Sequence, residues 1–354
     1  MKAYRYILAL LLLASVLICA VGCSGYAPVA STEEEMETVL TLDGGTYEVP
    51  YELYRFYFLS ELAQSNKRIE NLNDAEKAAF LNTLRECTLE ELCTLYAVFS
   101  LSAAHGIDPY DKEMDDMVDE GIVTAVEGDD VYLGYGDFDS YLAAIKAANM
   151  NDSVFRFLLR YQYAEARLGA ALRDRGTIAA DADTVRAYIR SDDCVRVSWI
   201  YISYAQVESY TEQQFFEMEQ RAKMANDEDF LKMTHQVLPD TYSDAELDDG
   251  FYIGKYQLDP YYQTLTDAVF SLEEGETSHW VESGDGRYLV RRLPKDEAYM
   301  ADEANLADFT EYYLLNTFYR MLYEESVRLR ATVVTLPVYE GLTFDRVKMP
   351  DKES

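Results

Sequence analysis

Few side chains in this sequence are of the types that carry nucleophilic, metal-binding or acid–base chemistry, and they are scattered. Beyond residue 23, the histidines and cysteines are His105, His235, His279, Cys87, Cys93 and Cys194. None of them forms a CxxC or mixed Cys/His pattern typical of a zinc site. Cys87 and Cys93 lie on one predicted helix, where six residues of separation point them in different directions and disfavour a disulfide. The sequence therefore predicts buried thiols, no metal site and no cofactor.

A second feature is the stretch CVRVSWIYIS, which covers residues 194–203. Its apolar and polar residues alternate, which predicts a half-buried β-strand. Trp199 lies in the middle of this strand. A tryptophan there is either core packing or part of a surface that contacts a ligand, and the local pattern leaves both interpretations open.

Charge and composition narrow the class of function. The chain has 64 acidic and 31 basic residues among 354, which gives a formal net charge of −33. Such a charge repels nucleic-acid phosphates and anionic lipid head groups, and it weakly attracts cationic or unfolded polypeptides. The hydrophobic content of 49% excludes a wholly disordered chain. A chain of this length is expected to form about two domains.

The N-terminus predicts export. Lys2 and Arg5 precede the apolar run Ile7–Val21. This run is shorter than the roughly 20 residues that a membrane-spanning helix needs, but it is typical of a signal-peptide core. Residues 1–22 are therefore predicted to be a signal peptide.

The end of this apolar run resembles the lipobox of bacterial lipoproteins. Its sequence is Ala20-Val21-Gly22-Cys23, and the resemblance implies that Cys23 is diacylated and becomes the new N-terminus. Cys23 would then anchor the protein to the outer face of the bacterial cell membrane. The following residues lack apolar periodicity, so 23–37 are predicted to be a tether. Ordinary secretion with cleavage at another position is the alternative.

Residues 38–190 predict a mostly helical lobe that begins with a hairpin. Asp43-Gly44-Gly45 separates two short strand-like runs, because glycine tolerates positive φ. Asn73 and Glu76 have the spacing of a capping box for a long helix that ends near His105. Asp152 or Ser153 is predicted to cap a further helix, and spacings of three and four place its apolar residues on one face: Val154, Leu158, Tyr161, Ala164, Leu168 and Leu172.

The pattern changes near residue 195. Over 192–297 the predicted order is strand, helix, helix, strand, helix, strand, strand, which is typical of a compact α+β domain. Residues 298–354 predict a helix and a strand that return to the helical lobe. The predicted fold class is therefore α+β, with a mostly α-helical lobe built from both ends of the chain and a βααβαββ domain inserted between them.

Three segments of the inserted domain resemble parvulin-type (PpiC-type) peptidyl-prolyl cis-trans isomerases. They are DFLKMTHQVLPD, IGKYQLDPYY and DAVFSLEEGETSHWVESGDGRYLVRRL. The N-terminal LTLDGGTYEVPYELYRFYFL is similar to the opening of PrsA/SurA-type extracytoplasmic foldases, as is the helix after the inserted domain. The resemblance implies a SurA-N-like chaperone lobe that carries a parvulin-like domain.

This resemblance also implies a site. Parvulins surround the proline of an X-Pro bond with two histidines, a Cys or Asp, a Met and a Phe. The two histidines fall on Trp199 and Tyr288, the loop acid on Asp240, the Met on Leu258 and the Phe on Tyr262. Asp240 is thus the expected catalytic group, and the other four are expected to contact substrate.

The substitutions favour binding over chemistry. An indole only donates a hydrogen bond and a phenol titrates near pH 10, so neither replaces a pair of imidazoles. The expected function is a membrane-anchored extracytoplasmic foldase or chaperone for unfolded secreted polypeptides, with a degenerate isomerase domain. The alternatives are an active peptidyl-prolyl isomerase and a non-catalytic lipoprotein adaptor for one specific protein partner. A nucleic-acid partner is not expected.

Overall fold

The computed structural model describes residues 26–65, 67–128, 134–237, 243–256 and 262–347. The signal peptide, Cys23, Asp240 and Leu258 lie outside the described residues. The chain divides into two compact units, Met1–Asp174 with Leu322–Ser354, and Arg175–Met321.

The N-terminal part of the first unit combines a short hairpin with long helices. In chain order these elements are β1 (Thr38–Leu42), β2 (Tyr47–Pro50), α1 (Tyr51–Gln64), α2 (Asp74–Ala104), α3 (Lys112–Glu127), α4 (Phe138–Ala147) and α5 (Asp152–Asp174). The hairpin turn contains a 3₁₀ segment in which Gly44 and Gly45 adopt φ of +64° and +94°. The predicted use of glycine in this turn is confirmed, since L-residues rarely adopt such angles.

The second unit carries the α+β pattern. Its elements are α6 (Ala182–Arg190), β3 (Cys194–Ser203), α7 (Tyr204–Val207), α8 (Glu212–Met224), α9 (Asp227–Val237), α10 (Asp244–Asp249), β4 (Phe251–Gly254), α11 (Gln263–Ser271), β5 (Val281–Ser283), β6 (Gly286–Leu293) and α12 (Glu297–Ala301). After them, α13 (Glu303–Arg330) contains the boundary between the units, and β7 (Val334–Thr335) and α14 (Pro337–Glu340) belong to the first unit. The predicted βααβαββ order is present, with the short helices α7 and α10 in addition.

Both ends of the chain contribute to the sheet of the first unit. Its strand order is β2-β1-β7, and both pairings are antiparallel. Leu40 on β1 pairs with Val49 on one side and with Thr335 on the other. The C-terminal strand β7, which the sequence predicts to return to the N-terminal lobe, thus pairs with the N-terminal strand β1.

Local sequence signals define the helix ends of the first unit. Asn73 and Glu76 form the predicted capping box, in which each side chain accepts from the backbone N–H of the other. At the start of α5 the cap is Asn151, whose Oδ1 accepts from the Val154 N–H at 2.9 Å. The cap therefore lies one residue before Asp152 and two before Ser153, the two predicted positions, and the Asp152 carboxylate makes other contacts.

The predicted tether over 23–37 needs correction for residues 26–37, which belong to the first unit and contact its helices. The Val29 N–H donates to Asp152 Oδ2 at 2.9 Å, and the Ser31 hydroxyl donates to Glu52 Oε2 at 2.7 Å. The Tyr26 ring stacks on Phe138 with 4.8 Å between centroids. Polar contacts hold much of this segment, so its apolar residues need not recur at helix or strand spacing. A search of the sequence for hydrophobic periodicity therefore does not detect that the segment is docked.

The sheet of the second unit has the order β4-β3-β6-β5, and all its pairings are antiparallel. Alternation along β3 gives the sheet two apolar faces. One face packs Val195 and Val197 with α11, and Trp199 and Tyr201 lie on the same side. On the opposite face, Ile200 packs with residues of α8 and α9. The predicted β-strand is confirmed, but both of its faces are packed and not only one, and Trp199 is partly buried on the face that packs against α11.

Among the described residues, no helix has both the length and the apolarity needed to cross a membrane.

Candidate functional site

Three of the five site residues predicted from the resemblance line one cavity in the second unit. Trp199 comes from β3, Tyr288 comes from β6, and Tyr262 immediately precedes α11. The cavity has a volume of about 480 Å³, within the range of small-ligand sites. The other two predicted residues, Asp240 and Leu258, lie outside the described residues.

Strand register brings Trp199 and Tyr288 together. Along the antiparallel pair, Trp199 lies opposite Val290, and Tyr288 lies opposite Tyr201. Trp199 and Tyr288 are thus diagonal neighbours on one face, a spacing that aromatic side chains can bridge. Their rings meet edge to face with 6.0 Å between centroids. The two positions at which the resemblance implies histidines are therefore adjacent in space.

The indole of Trp199 is also fixed by the edge strand β4. It stacks on the Phe251 ring with 4.1 Å between centroids and 2° between planes. Although this contact resembles ordinary core packing, Trp199 and Phe251 both line the cavity. The two interpretations of Trp199 that its sequence left open, core packing and contact surface, are thus compatible in this geometry.

The Tyr288 hydroxyl and the Trp199 indole nitrogen differ in their hydrogen bonding. The Tyr288 hydroxyl donates to Asp285 Oδ1 at 2.9 Å. The Trp199 Nε1 atom is buried and has no hydrogen-bond partner among the described residues. The Tyr288 hydroxyl is therefore held by a neighbouring carboxylate, whereas the Trp199 N–H is buried and unpaired among the described residues.

Burial keeps the phenols at this site neutral. It raises the pKa of Tyr288 above the usual tyrosine range, and the hydrogen bond to Asp285 and the charge of that carboxylate act in the same direction. Burial likewise raises the pKa of Tyr299 to about 12. Neither group supplies a phenolate near neutral pH, so these hydroxyls act as hydrogen-bonding groups and not as bases.

The remaining lining residues extend the aromatic wall. They are Gly250, Phe251, Tyr252, Ile253, Leu265, Thr266, Tyr299, Phe309 and Tyr312. None of the described lining residues has a carboxylate, imidazole, thiol, ammonium or guanidinium group. The described wall is therefore uncharged, and what it offers chemically is contact area together with a few hydroxyl and indole groups.

Most residues of this cavity wall were not predicted from the sequence. Phe251 and Tyr252 belong to the strand that it predicted, but they were not assigned to the site. Tyr299, Phe309 and Tyr312 come from α12 and α13, beyond the segment that resembles a parvulin. The one available signal was the high tyrosine content, 30 residues in the whole chain, which does not identify individual positions.

The histidines of the second unit take part in other contacts. His235 Nε2 lies 2.9 Å from Asp248 Oδ1, and His279 Nδ1 lies 2.8 Å from Glu219 Oε1. Neither histidine lines the cavity. In the part of the chain that the structure describes, no group of three or more His, Cys, Asp or Glu side chains is placed to bind a metal ion.

No family model and no curated protein matches this sequence. Solved structures similar to the chain include PrsA foldases and a SurA-like chaperone. PrsA from Bacillus subtilis is 16% identical, with 72% of this chain and 90% of that chain covered and a TM-score of 0.27. The foldase protein PrsA from Streptococcus pneumoniae is 13% identical, with coverages of 86% and 90% and a TM-score of 0.30.

A third similar structure comes from a study of PEB4 and Cj1289, two SurA-like chaperones of Campylobacter jejuni. It is 12% identical, with 81% of this chain and 93% of that chain covered and a TM-score of 0.23. All three TM-scores lie below 0.5 and all three identities below 25%, which is too little likeness to transfer a function.

Proposed function

We propose that this chain is a membrane-anchored extracytoplasmic foldase or chaperone that binds unfolded secreted polypeptides and contains a degenerate parvulin-like domain over 192–297. The observation that carries the proposal is the pairing of Trp199 with Tyr288. By the resemblance these residues fall at the positions of the family's two histidines, and they line an aromatic cavity of about 480 Å³ whose described lining residues carry no charge. The N-terminal sequence and its lipobox-like Cys23 support an anchored, extracytoplasmic location.

The chemistry of the wall supports binding in preference to catalysis. Rotation about an X-Pro amide has a barrier of about 18–20 kcal/mol. An isomerase must stabilise the twisted amide more strongly than the planar one. Among the described lining residues, the buried phenols stay neutral and the indole can only donate. Aromatic rings provide large contact area with few directional demands, which suits clients of varied sequence.

An aggregation assay with matched variants tests this proposal. The purified protein should suppress aggregation of several unrelated denatured clients. Tyr262→Ala removes a ring from the cavity wall and should weaken that protection several-fold. Phe216→Ala is the matched control, because Phe216 lies on α8, is 57% exposed and does not line the cavity, and it should leave protection unchanged.

The same assay distinguishes a general chaperone from an adaptor that binds one specific partner. An adaptor for one specific partner should protect none of the unrelated clients, and this result would remove the chaperone proposal. Equal loss of protection in both variants would show that exposed aromatic surface in general, and not the cavity, binds clients.

A refolding assay tests the alternative that this chain is an active peptidyl-prolyl isomerase. Refolding of a model protein limited by proline isomerisation proceeds over tens to hundreds of seconds. We expect little or no acceleration by this chain at catalytic concentrations. A clear acceleration would establish an active enzyme and would place the catalytic group outside the described wall, with Asp240 as the first residue to substitute.

A further inference from the structure

Tyr26, the first residue that the structure describes, is fixed to the first unit by three separate contacts. Its hydroxyl donates to Glu127 Oε1 at 2.7 Å, and its ring stacks on Phe138 with 4.8 Å between centroids. Its backbone carbonyl accepts from Arg156 Nη2 at 2.7 Å. The Nε of the same guanidinium donates to the buried carboxylate of Asp152. Tyr26 is therefore held through both its side chain and its backbone.

Backbone hydrogen bonds hold the other end of the segment 26–37. The Glu35 carbonyl accepts from the Glu52 N–H at 3.0 Å, and the Glu37 carbonyl accepts from the Tyr51 N–H at 2.8 Å. Polar side-chain contacts hold its middle. The chain between Tyr26 and β1 is thus docked at both ends and at its centre, and it does not act as a free linker.

This docking shortens the reach of the chain between the first unit and Cys23. A free tether over 23–37 contains 15 residues and would extend to about 50 Å. With Tyr26 docked, only three residue steps separate it from Cys23, a span of at most about 11 Å. Acyl chains on Cys23 would insert into the bilayer and hold this residue at the bilayer surface. The part of the first unit around Tyr26 must then lie close to the lipid head groups.

The residues around Tyr26 determine which layer of the bilayer they fit. We call the surface formed by Tyr26, Glu127, Asp137, Phe138 and Asp139 the anchor-proximal face. Its three carboxylate residues are exposed. Moving such charges into hydrocarbon is costly. The face therefore fits the hydrated head-group layer and not the acyl chains.

We infer that residues 26–37 are a fixed attachment and not a tether, and that they hold the anchor-proximal face at the head-group surface of the bilayer that anchors Cys23. The inference rests on the proposed lipid anchor and deepens it by naming the face of the first unit that meets the membrane. The partner of this face is the hydrated surface of a lipid bilayer.

Hydrogen exchange tests the docking without any lipid. In the mature chain that begins at Cys23, the Val29 amide donates to the buried Asp152 carboxylate. It should exchange at least tenfold more slowly than in a free peptide of residues 26–37. Tyr26→Ala removes the ring contact and the hydroxyl contact and should speed this exchange several-fold. Tyr26→Phe keeps the ring and is the matched control, with a smaller effect.

Energy transfer to a bilayer tests the reach. The mature chain is coupled through the Cys23 thiol to a maleimide lipid in phosphatidylcholine vesicles that contain a fluorescent acceptor lipid. A Cys87→Ser substitution removes a partly exposed thiol. The donor dye is attached at Ala143→p-azidophenylalanine, because this exposed position lies on α4 close to Phe138.

The decisive variant has about ten Gly and Ser residues inserted between Gly25 and Tyr26. The insertion keeps the docked segment but lengthens the free chain from about 11 Å to about 45 Å, so transfer should fall at least twofold. For a flexible tether over 23–37, the same insertion would raise the root-mean-square reach only about 1.3-fold.

The outcomes separate the inference from the proposed anchor. A fall in transfer smaller than about twofold, or exchange of the Val29 amide at the rate of the free peptide, overturns the inference. Neither result affects the proposed anchor, because the lipid is supplied chemically. Mass spectrometry of the full-length chain produced in a bacterium tests the anchor itself. Absence of a diacylglyceryl group on Cys23 would overturn the proposed anchor, and with it the membrane-facing role, even if docking and reach are as expected.

Discussion

Gly254, the last residue of β4, illustrates how one position without a side chain allows close packing in the second unit. A Cβ atom at this position would lie 2.1 Å from Asn316 Oδ1 and 2.4 Å from the Tyr188 hydroxyl. Both distances are far below van der Waals contact. Its backbone N–H also donates to the Tyr312 hydroxyl, which lines the cavity. Gly254 therefore links the edge strand to the aromatic wall.

Gly254→Ala should destabilise the second unit by about 1–3 kcal/mol, the usual cost of overpacking a core. Tryptophan fluorescence during urea unfolding measures this change, because Trp199 and Trp280 both belong to this unit. Asn316→Ala removes the nearer clash, and its Oδ1 is buried without a partner among the described residues. The double variant should therefore recover part of the loss. Independent, additive effects of the two substitutions would contradict a steric cause.

At the scale of elements, a buried carboxylate joins the docked segment 26–37 to the helices of the first unit. Asp152 is 2% exposed. Its oxygens accept from the Val29 N–H, from the Tyr141 hydroxyl at 2.9 Å and from Arg156 Nε at 2.8 Å. The segment is thus held by a charge that several elements share, and its own apolar content is not what docks it.

Asp152→Ala should destabilise the first unit by about 2–3 kcal/mol, since it removes the acceptor of the Val29 N–H and of the Tyr141 hydroxyl, although Arg156 keeps its ion pair with Asp119. Far-UV circular dichroism during urea unfolding is the suitable measurement, because both tryptophans report on the second unit. Asp116→Ala is the matched control. Asp116 pairs with Lys112 on α3 but its side chain is 61% exposed, so its loss should cost well under 1 kcal/mol. Equal effects of the two substitutions would argue against the proposed role of Asp152.

At the scale of the whole molecule, burial of ionisable groups determines the response to alkaline pH. Cys194 is fully buried, and burial raises the pKa of its thiol from the ordinary value of 9.0 to about 12. Burial raises the pKa of Cys93 to about 11. Between pH 9 and these values the unfolded chain has released thiol protons that the folded chain retains. The free energy of unfolding must therefore decrease as pH rises through this window.

We expect the urea midpoint to be constant near pH 8 and to fall progressively between pH 9 and 11. General repulsion within a chain of net charge −33 acts in the same direction, but 0.5 M salt screens it. The decrease should therefore persist at high salt, and thiolate absorbance should stay absent from folded Cys93 and Cys194 up to about pH 10. A midpoint that does not change with pH at high salt would contradict the burial of these thiols.

The sequence by itself determined the features that depend on residues close together in the chain. The capping box of Asn73 and Glu76, the glycine turn after β1 and the alternation in β3 each involve neighbours within a few positions. The order of the elements in the second unit follows from the same local patterns. The extreme negative charge needs no structure at all.

Only the tertiary structure decided which distant residues meet. The register of β3 against β6 makes Trp199 and Tyr288 neighbours, although 89 positions separate them (288 − 199), and Tyr299 and Phe309 join the same wall from the helices that follow β6. The docking of residues 26–37 and the burial of the Trp199 indole N–H are also results of tertiary packing. Local patterns specify an element and its buried face, but the contacts across elements depend on register and side-chain orientation, which the alternation of residue types does not encode.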